Sequence, residues 1–130
     1  MIGYVTIGAK DSAASGKFYD AVFQALGSER KFDHGTWLFY GKQGGGKGFG
    51  DCHTVIANPP NNGQEATSGN GTMIAYAAQS QEAVKAAYEA GMANGGSDEG
   101  KPGPRGEDGK FFGAYLRDPT GNKICMFKMG

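Results

Sequence analysis

The chain has 130 residues, enough for one domain or for two small units sharing a core. Its 13 basic and 13 acidic side chains cancel, which argues against a nucleic-acid partner, because that surface needs a basic surplus on one face. No apolar run approaches the roughly 20 residues of a membrane span, so no membrane partner is expected. The opening MIGYVTIGAKD lacks the charged start, apolar run and small-residue cleavage site of a signal peptide. Cys52 and Cys125 lie far apart and outside any C-x-x-C spacing, as expected of reduced thiols in a cytoplasmic protein.

In chain order, residues 2–8 alternate, with Tyr4 and Thr6 on one side and Val5 and Ile7 on the other, and predict a strand. Asp11 or Ser12 caps a helix whose apolar stripe is Ala14, Phe18, Val22 and Leu26, widened by Tyr19 and Phe23 and closed by Gly27. Residues 29–32 and 36–40 read as a hairpin around Asp33-His34-Gly35. Residues 41–50 form a glycine-rich loop, 53–58 a strand stopped by Pro59-Pro60, and 59–70 a polar connector. The pattern then restarts. Residues 72–78 predict a strand, and Ser80 or Gln81 starts a helix through Ala83, Val84, Ala87, Tyr88 and Met92 that stops at Gly95-Gly96. A glycine- and proline-rich segment, GKPGPRGEDG, follows. The hairpin GAYLRDPTGNKICMF ends the chain, turning at Asp118-Pro119-Thr120-Gly121, where Asp bonds the backbone, Pro presets φ and Gly accepts φ > 0.

A shift of 69 positions lays the second half on the first: Tyr4 on Met73, Asp11 on Ser80, Tyr19 on Tyr88 and Gly27 on Gly96. The expected fold is therefore α+β, with two tandem β-α-β-β-β modules (residues 1–58 and 71–130, joined by 59–70) and helices outside a shared concave sheet. Val5, Ile7, Ile74, Tyr76, Ile124 and Met126 are expected to face the helices. Tyr4, Thr6, Met73, Ala75, Cys125 and Phe127 are expected to face the cleft.

Paired β-α-β-β-β modules, the restart GNGTMIAYAA, the segment GKPGPR and the hairpin FFGAYLRDPTGNKICMF resemble the vicinal oxygen chelate superfamily of glyoxalases, bleomycin-resistance proteins and extradiol dioxygenases. The resemblance implies an eight-stranded cupped sheet, usually in a homodimer. It also implies, in the metal-using members, a divalent ion held by His and Glu on the first and last strand of each module. Those stations fall here on Tyr4, Met73, Cys125 and approximately Ile56. A metal that polarises an oxygen needs hard or borderline ligands and an open position, which these residue types do not supply. The expectation is a protein that binds a small, partly apolar molecule without a metal or other cofactor. The alternative is a metal-dependent lyase, isomerase or dioxygenase of the same superfamily.

Other candidates have ordinary readings beside functional ones. Cys52 and His53 are adjacent on a strand and point apart, so they do not converge on one ion. GKQGGGKG lacks the Ser or Thr and the following helix of a phosphate loop, and reads as a flap. Arg105 is either a solvated loop residue or a cation at the cleft rim that orients an anionic or carbonyl ligand. Trp37, Phe39 and Tyr115 are either core or the aromatic walls of an apolar pocket.

Overall fold

The structure is a computed structural model and describes residues 1–130. Strand β1 (Val5–Gly8) leads through helix α1 (Ser12–Ala25) to β2 (Ser28–His34), β3 (Trp37–Lys42) and β4 (Cys52–Ala57). The same order repeats as β5 (Ile74–Ala77), α2 (Gln81–Ala93), β6 (Ser97–Arg105), β7 (Phe111–Arg117) and β8 (Lys123–Met129). Each half makes a four-stranded sheet, β1-β4-β3-β2 and β5-β8-β7-β6, and together they form the cupped α+β architecture expected from the repeat. In both sheets the first and last strands run parallel and the rest antiparallel.

Strand alternation sorts the side chains. Ile7 pairs with Ile56 and Ile74 with Ile124, and Ile7, Ile56 and Ile124 are buried under the helices. Phe18, Tyr19, Val22 and Phe23 of α1 and Val84 and Ala87 of α2 complete one continuous core with Leu116 and Met126. Asp11 Oδ1 accepts from Ala14 N at 3.1 Å and Ser80 Oγ accepts from Ala83 N at 3.1 Å, which caps both helices. The two helices pack on each other where Gly91 leaves room. A Cβ there would run into Leu116 Cδ1 and lie 3.0 Å from Phe18 and 3.1 Å from Val22. The opposite face of each sheet has no helix on it and lines the cup.

Several boundaries differ from the sequence reading. The first hairpin runs on through His34, because Phe32 stacks on Phe39 across it at 4.4 Å. The segment GKPGPR is the end of strand β6, not a loop; register shifts after Asp98 and Gly100 absorb its glycines and prolines while pairing with β7 continues to Arg105. Both first strands are shorter than expected, so Tyr4 and Met73 stand just ahead of β1 and β5.

Two polar networks lock the halves together. Asp118, 4% exposed, accepts the Tyr19 hydroxyl of α1 at 2.7 Å and the backbone N–H groups of Thr120, Gly121 and Asn122, each at 2.9 Å. Asn122 Nδ2 donates to the Gly8 carbonyl at 2.8 Å, and Lys10 N donates to Thr120 Oγ1. At the other end of the seam, His53 bonds Ser28 Oγ at 2.9 Å and Thr54 Oγ1 at 2.8 Å, and Thr54 bonds the Tyr76 hydroxyl at 3.0 Å. Burial holds the His53 imidazole below its ordinary pKa and pushes the Tyr76 phenol up to about 12.

Asp118→Ala strands a buried phenol and three turn donors and should lower unfolding free energy by about 3 kcal/mol or more in urea titration; a loss within experimental error would show that the seam does not depend on it. His53 gives a pH signature. The unfolded chain takes up this proton before the folded one, so the stability contributed by neutral His53 is complete above about pH 6.5 and is lost as pH falls from there toward the depressed folded pKa. Urea midpoints from pH 8 to pH 5 should decline more steeply in the wild type than in His53→Gln, and parallel curves would refute the assignment.

Candidate functional site

The cup face of the first sheet is an aromatic groove of about 380 Å³, walled by Tyr4, Phe32, Trp37, Phe39, Phe49 and Val55, with Thr6 and His34 at its edges. Backbone alternation places Phe32 with His34, and Trp37 with Phe39, on this face. Tyr4 is half exposed, with its ring 4.9 Å from Phe49, which in turn meets Phe39 edge-on at 5.6 Å. Trp37 Nε1 donates to the Pro59 carbonyl at 2.9 Å, fixing the indole while leaving its ring on the groove. A second, more polar cavity of about 580 Å³ shares Tyr4, Thr6 and Trp37 and runs under the connector to Gln64 and Thr67.

The cup face of the second sheet has a different chemistry. Tyr115 of β7 lies across from Cys125 of β8, which pairs with Ala75 of β5. The Arg105 guanidinium lies 5.5 Å and the Lys123 ammonium 5.4 Å from the Tyr115 ring centroid. Arg105 is folded back so that Nη1 donates to Gly103 O and Nη2 to Lys101 O. Glycine makes this possible: a Cβ at Gly100 would lie 2.8 Å from Tyr115 and 3.3 Å from Arg105 Nη2. Phe127 stacks on Phe111 at 5.2 Å, over the space left by Gly113. Burial raises the Cys125 thiol pKa, against the pull of the Tyr115 hydroxyl and of the Arg105 and Lys123 charges.

The two faces meet at the seam. A cavity of about 210 Å³ is lined by Thr6 and Gly8 of β1, by Thr67 and Ser68 of the connector, by Thr72 and Ile74, and by Asn122 and Lys123 of β8. Thr6 borders this cavity, the connector cavity and the aromatic groove alike.

Of the residues expected in the cleft, Tyr4, Thr6 and Trp37 come together on the first sheet, and Ala75, Arg105, Tyr115, Cys125 and Phe127 on the second. Met73 is exposed beside the seam. Ile56 is misplaced by one residue: it is fully buried under the helices, and its neighbour Val55 faces the groove. Thr6 pairs with Val55 as Ala75 pairs with Cys125, so the first strands of the two modules are 69 positions apart but the last strands 70, and a constant shift of 69 lands one residue off. Phe32 lay in the expected hairpin strand but was given no face, and His34 was missed because that strand was cut short at Phe32. Lys123 carried a usable signal, since it is two residues from Cys125 and so on the same face. Phe49 opens a single 3-10 turn (Phe49–Asp51), Thr67 and Ser68 lie in the irregular connector, and none of the three carried one.

The superfamily's divalent ion does not fit these residues. Its four stations hold a half-exposed phenol against Phe49, an exposed thioether, a buried thiol of raised pKa and an aliphatic side chain on the wrong face. No three His, Cys, Asp or Glu side chains are grouped to hold an ion.

The sequence model described as the Glyoxalase/Bleomycin resistance protein/Dioxygenase superfamily matches residues 1–126. A glyoxalase/bleomycin resistance protein from Albidiferax ferrireducens T118 is 42% identical over 98% of both chains, with a TM-score of 0.85. A glyoxalase-related enzyme from Fulvimarina pelagi is 21% identical, covers 98% of this chain and 87% of its own, and superposes with a TM-score of 0.73. A lactoylglutathione lyase from Agrobacterium tumefaciens is 19% identical over 98% of this chain and 92% of its own, at a TM-score of 0.62. No match is found among the curated proteins. The match along nearly the whole sequence agrees with the doubled strand-helix-strand units and their cup, and the chain belongs to the Glyoxalase/Bleomycin resistance protein/Dioxygenase superfamily.

Proposed function

We propose that this superfamily member binds a small, partly apolar molecule with a planar ring in its cup, without a metal, and does so as a homodimer. The observation that carries the reading is the groove of Tyr4, Phe32, Trp37, Phe39 and Phe49 on the open face of the first sheet. Aromatic walls with a few polar groups at the edge suit a flat apolar guest, and such pockets draw most of their affinity from buried apolar area. The donor chemistry of the four stations supports binding over metal-assisted chemistry. Exposed Met1, Ile2, Met73 and Met129, outside the groove, give a second copy apolar surface to cover.

Trp37 is the sole tryptophan, so all tryptophan emission comes from the groove and the connector cavity that shares its ring. In a thermal-shift screen of aromatic compounds, genuine ligands should raise the melting temperature and quench Trp37 in a saturable way. Tyr4→Ala should weaken such a ligand about tenfold, the scale of one lost aromatic contact. A ligand that stabilises the protein without touching Trp37 emission would move the site elsewhere. Elemental analysis of tag-free protein should give well under one equivalent of Ni, Zn, Fe, Mn or Cu; a tight one-to-one ion would overturn the metal-free reading. Light scattering should return twice the 13.6 kDa chain mass.

A further inference from the structure

We propose that the seam cavity beside Lys123 is an anion subsite, so that the molecule taken up is a small aromatic acid, carrying a carboxylate or a phosphate monoester. The inference rests on the binding role assigned to the groove and names the chemical class of its ligand. Lys123 forms no salt bridge; the acidic side chain that feels its charge, Glu99, is engaged with Arg117 at 2.8 Å. The Lys123 ammonium stands over the Tyr115 ring, 5.4 Å from its centroid, and Lys123 also lines the cavity of about 210 Å³. That cavity also presents the hydroxyl-bearing side chains of Thr6, Thr67, Ser68 and Thr72. A cation among hydroxyl donors is the set that a carboxylate or phosphate group satisfies by charge-assisted hydrogen bonds. Arg105, fixed on the same aromatic ring by the backbone carbonyls of Gly103 and Lys101, adds positive potential without an acidic partner of its own.

Geometry links the two chemistries. Thr6 borders both the polar cavity and the aromatic groove, so one molecule placed across it sets a ring on Tyr4 and Trp37 and an acid toward Lys123. The connector completes the pocket. Ala66 packs against Gly8, where a Cβ would lie 2.9 Å from its methyl group, and this holds Thr67 and Ser68 over the seam.

Benzoate, phenyl phosphate, benzamide and inorganic phosphate, titrated by calorimetry and by Trp37 emission, test the assignment. Benzoate or phenyl phosphate should bind at least about tenfold more tightly than benzamide at low ionic strength, and whichever of the two is preferred identifies the acid. The preference should shrink with added salt, disappear in Lys123→Met and weaken in Thr72→Val. Equal affinity for the acids and the amide, or a preference that survives Lys123→Met, overturns the proposal and leaves the groove reading intact. If no aromatic probe quenches Trp37, the groove reading fails, and inorganic phosphate alone decides this one. Phosphate binding that Lys123→Met abolishes upholds the anion subsite, and no phosphate binding refutes it.

Discussion

The cup depends on one buried carboxylate. Asp118 closes the turn between β7 and β8 through three backbone donors and, on its other oxygen, accepts the Tyr19 hydroxyl from the helix of the opposite half. A carboxylate almost out of water is tolerable only when its acceptor sites are filled, and here they are. The same turn carries Asn122 and Thr120, which bond the chain at the end of β1. One short segment therefore sets the local hairpin and the relation between the halves together. Thr6 and Lys123 reach a common cavity because this turn brings the end of β1 to the start of β8.

The opposite end of the seam is held by weaker, uncharged links through His53, Thr54 and Tyr76, packed against Phe23. The mirrored positions have thus diverged in kind, one charged and densely bonded, the other neutral. The cup faces have diverged likewise. The first is aromatic with little charge, and the second carries two cations beside a phenol. Neither face groups a set of donors suited to a divalent ion.

Much of this was legible in the sequence. Caps, glycine stops and apolar stripes placed both helices, because each signal acts within one turn of chain. The repeat placed the architecture, and the family resemblance, carried by GNGTMIAYAA, GKPGPR and the last hairpin, agreed with it. Alternation put Ile124 and Met126 under the helices correctly. The linear reading failed at Ile56, because the last strands of the two modules are one position further apart than the first strands, 70 against 69, and nothing in CHTVIA marks that difference. It also failed at GKPGPR, whose composition argues for a loop while pairing with β7 makes it a strand. The site was half legible. Strand residues could be assigned a face, but Phe49, in a short 3-10 turn, and Thr67 and Ser68, in the connector, reach the cup only because chain between the strands folds over it. The polar contacts at the Asp118 end of the seam join residues 99 to 114 positions apart and leave no pattern that a linear reading detects.

Each strand gives one row of side chains to the helices and the alternate row to the cup. Ile7 and Thr6, or Met126 and Phe127, are adjacent in sequence yet answer to separate demands. Changes at the exposed positions of the open row, such as Tyr4 and Ala75, therefore leave the packed row nearly untouched, and the chemistry of the cup can alter in single steps while the melting behaviour hardly moves.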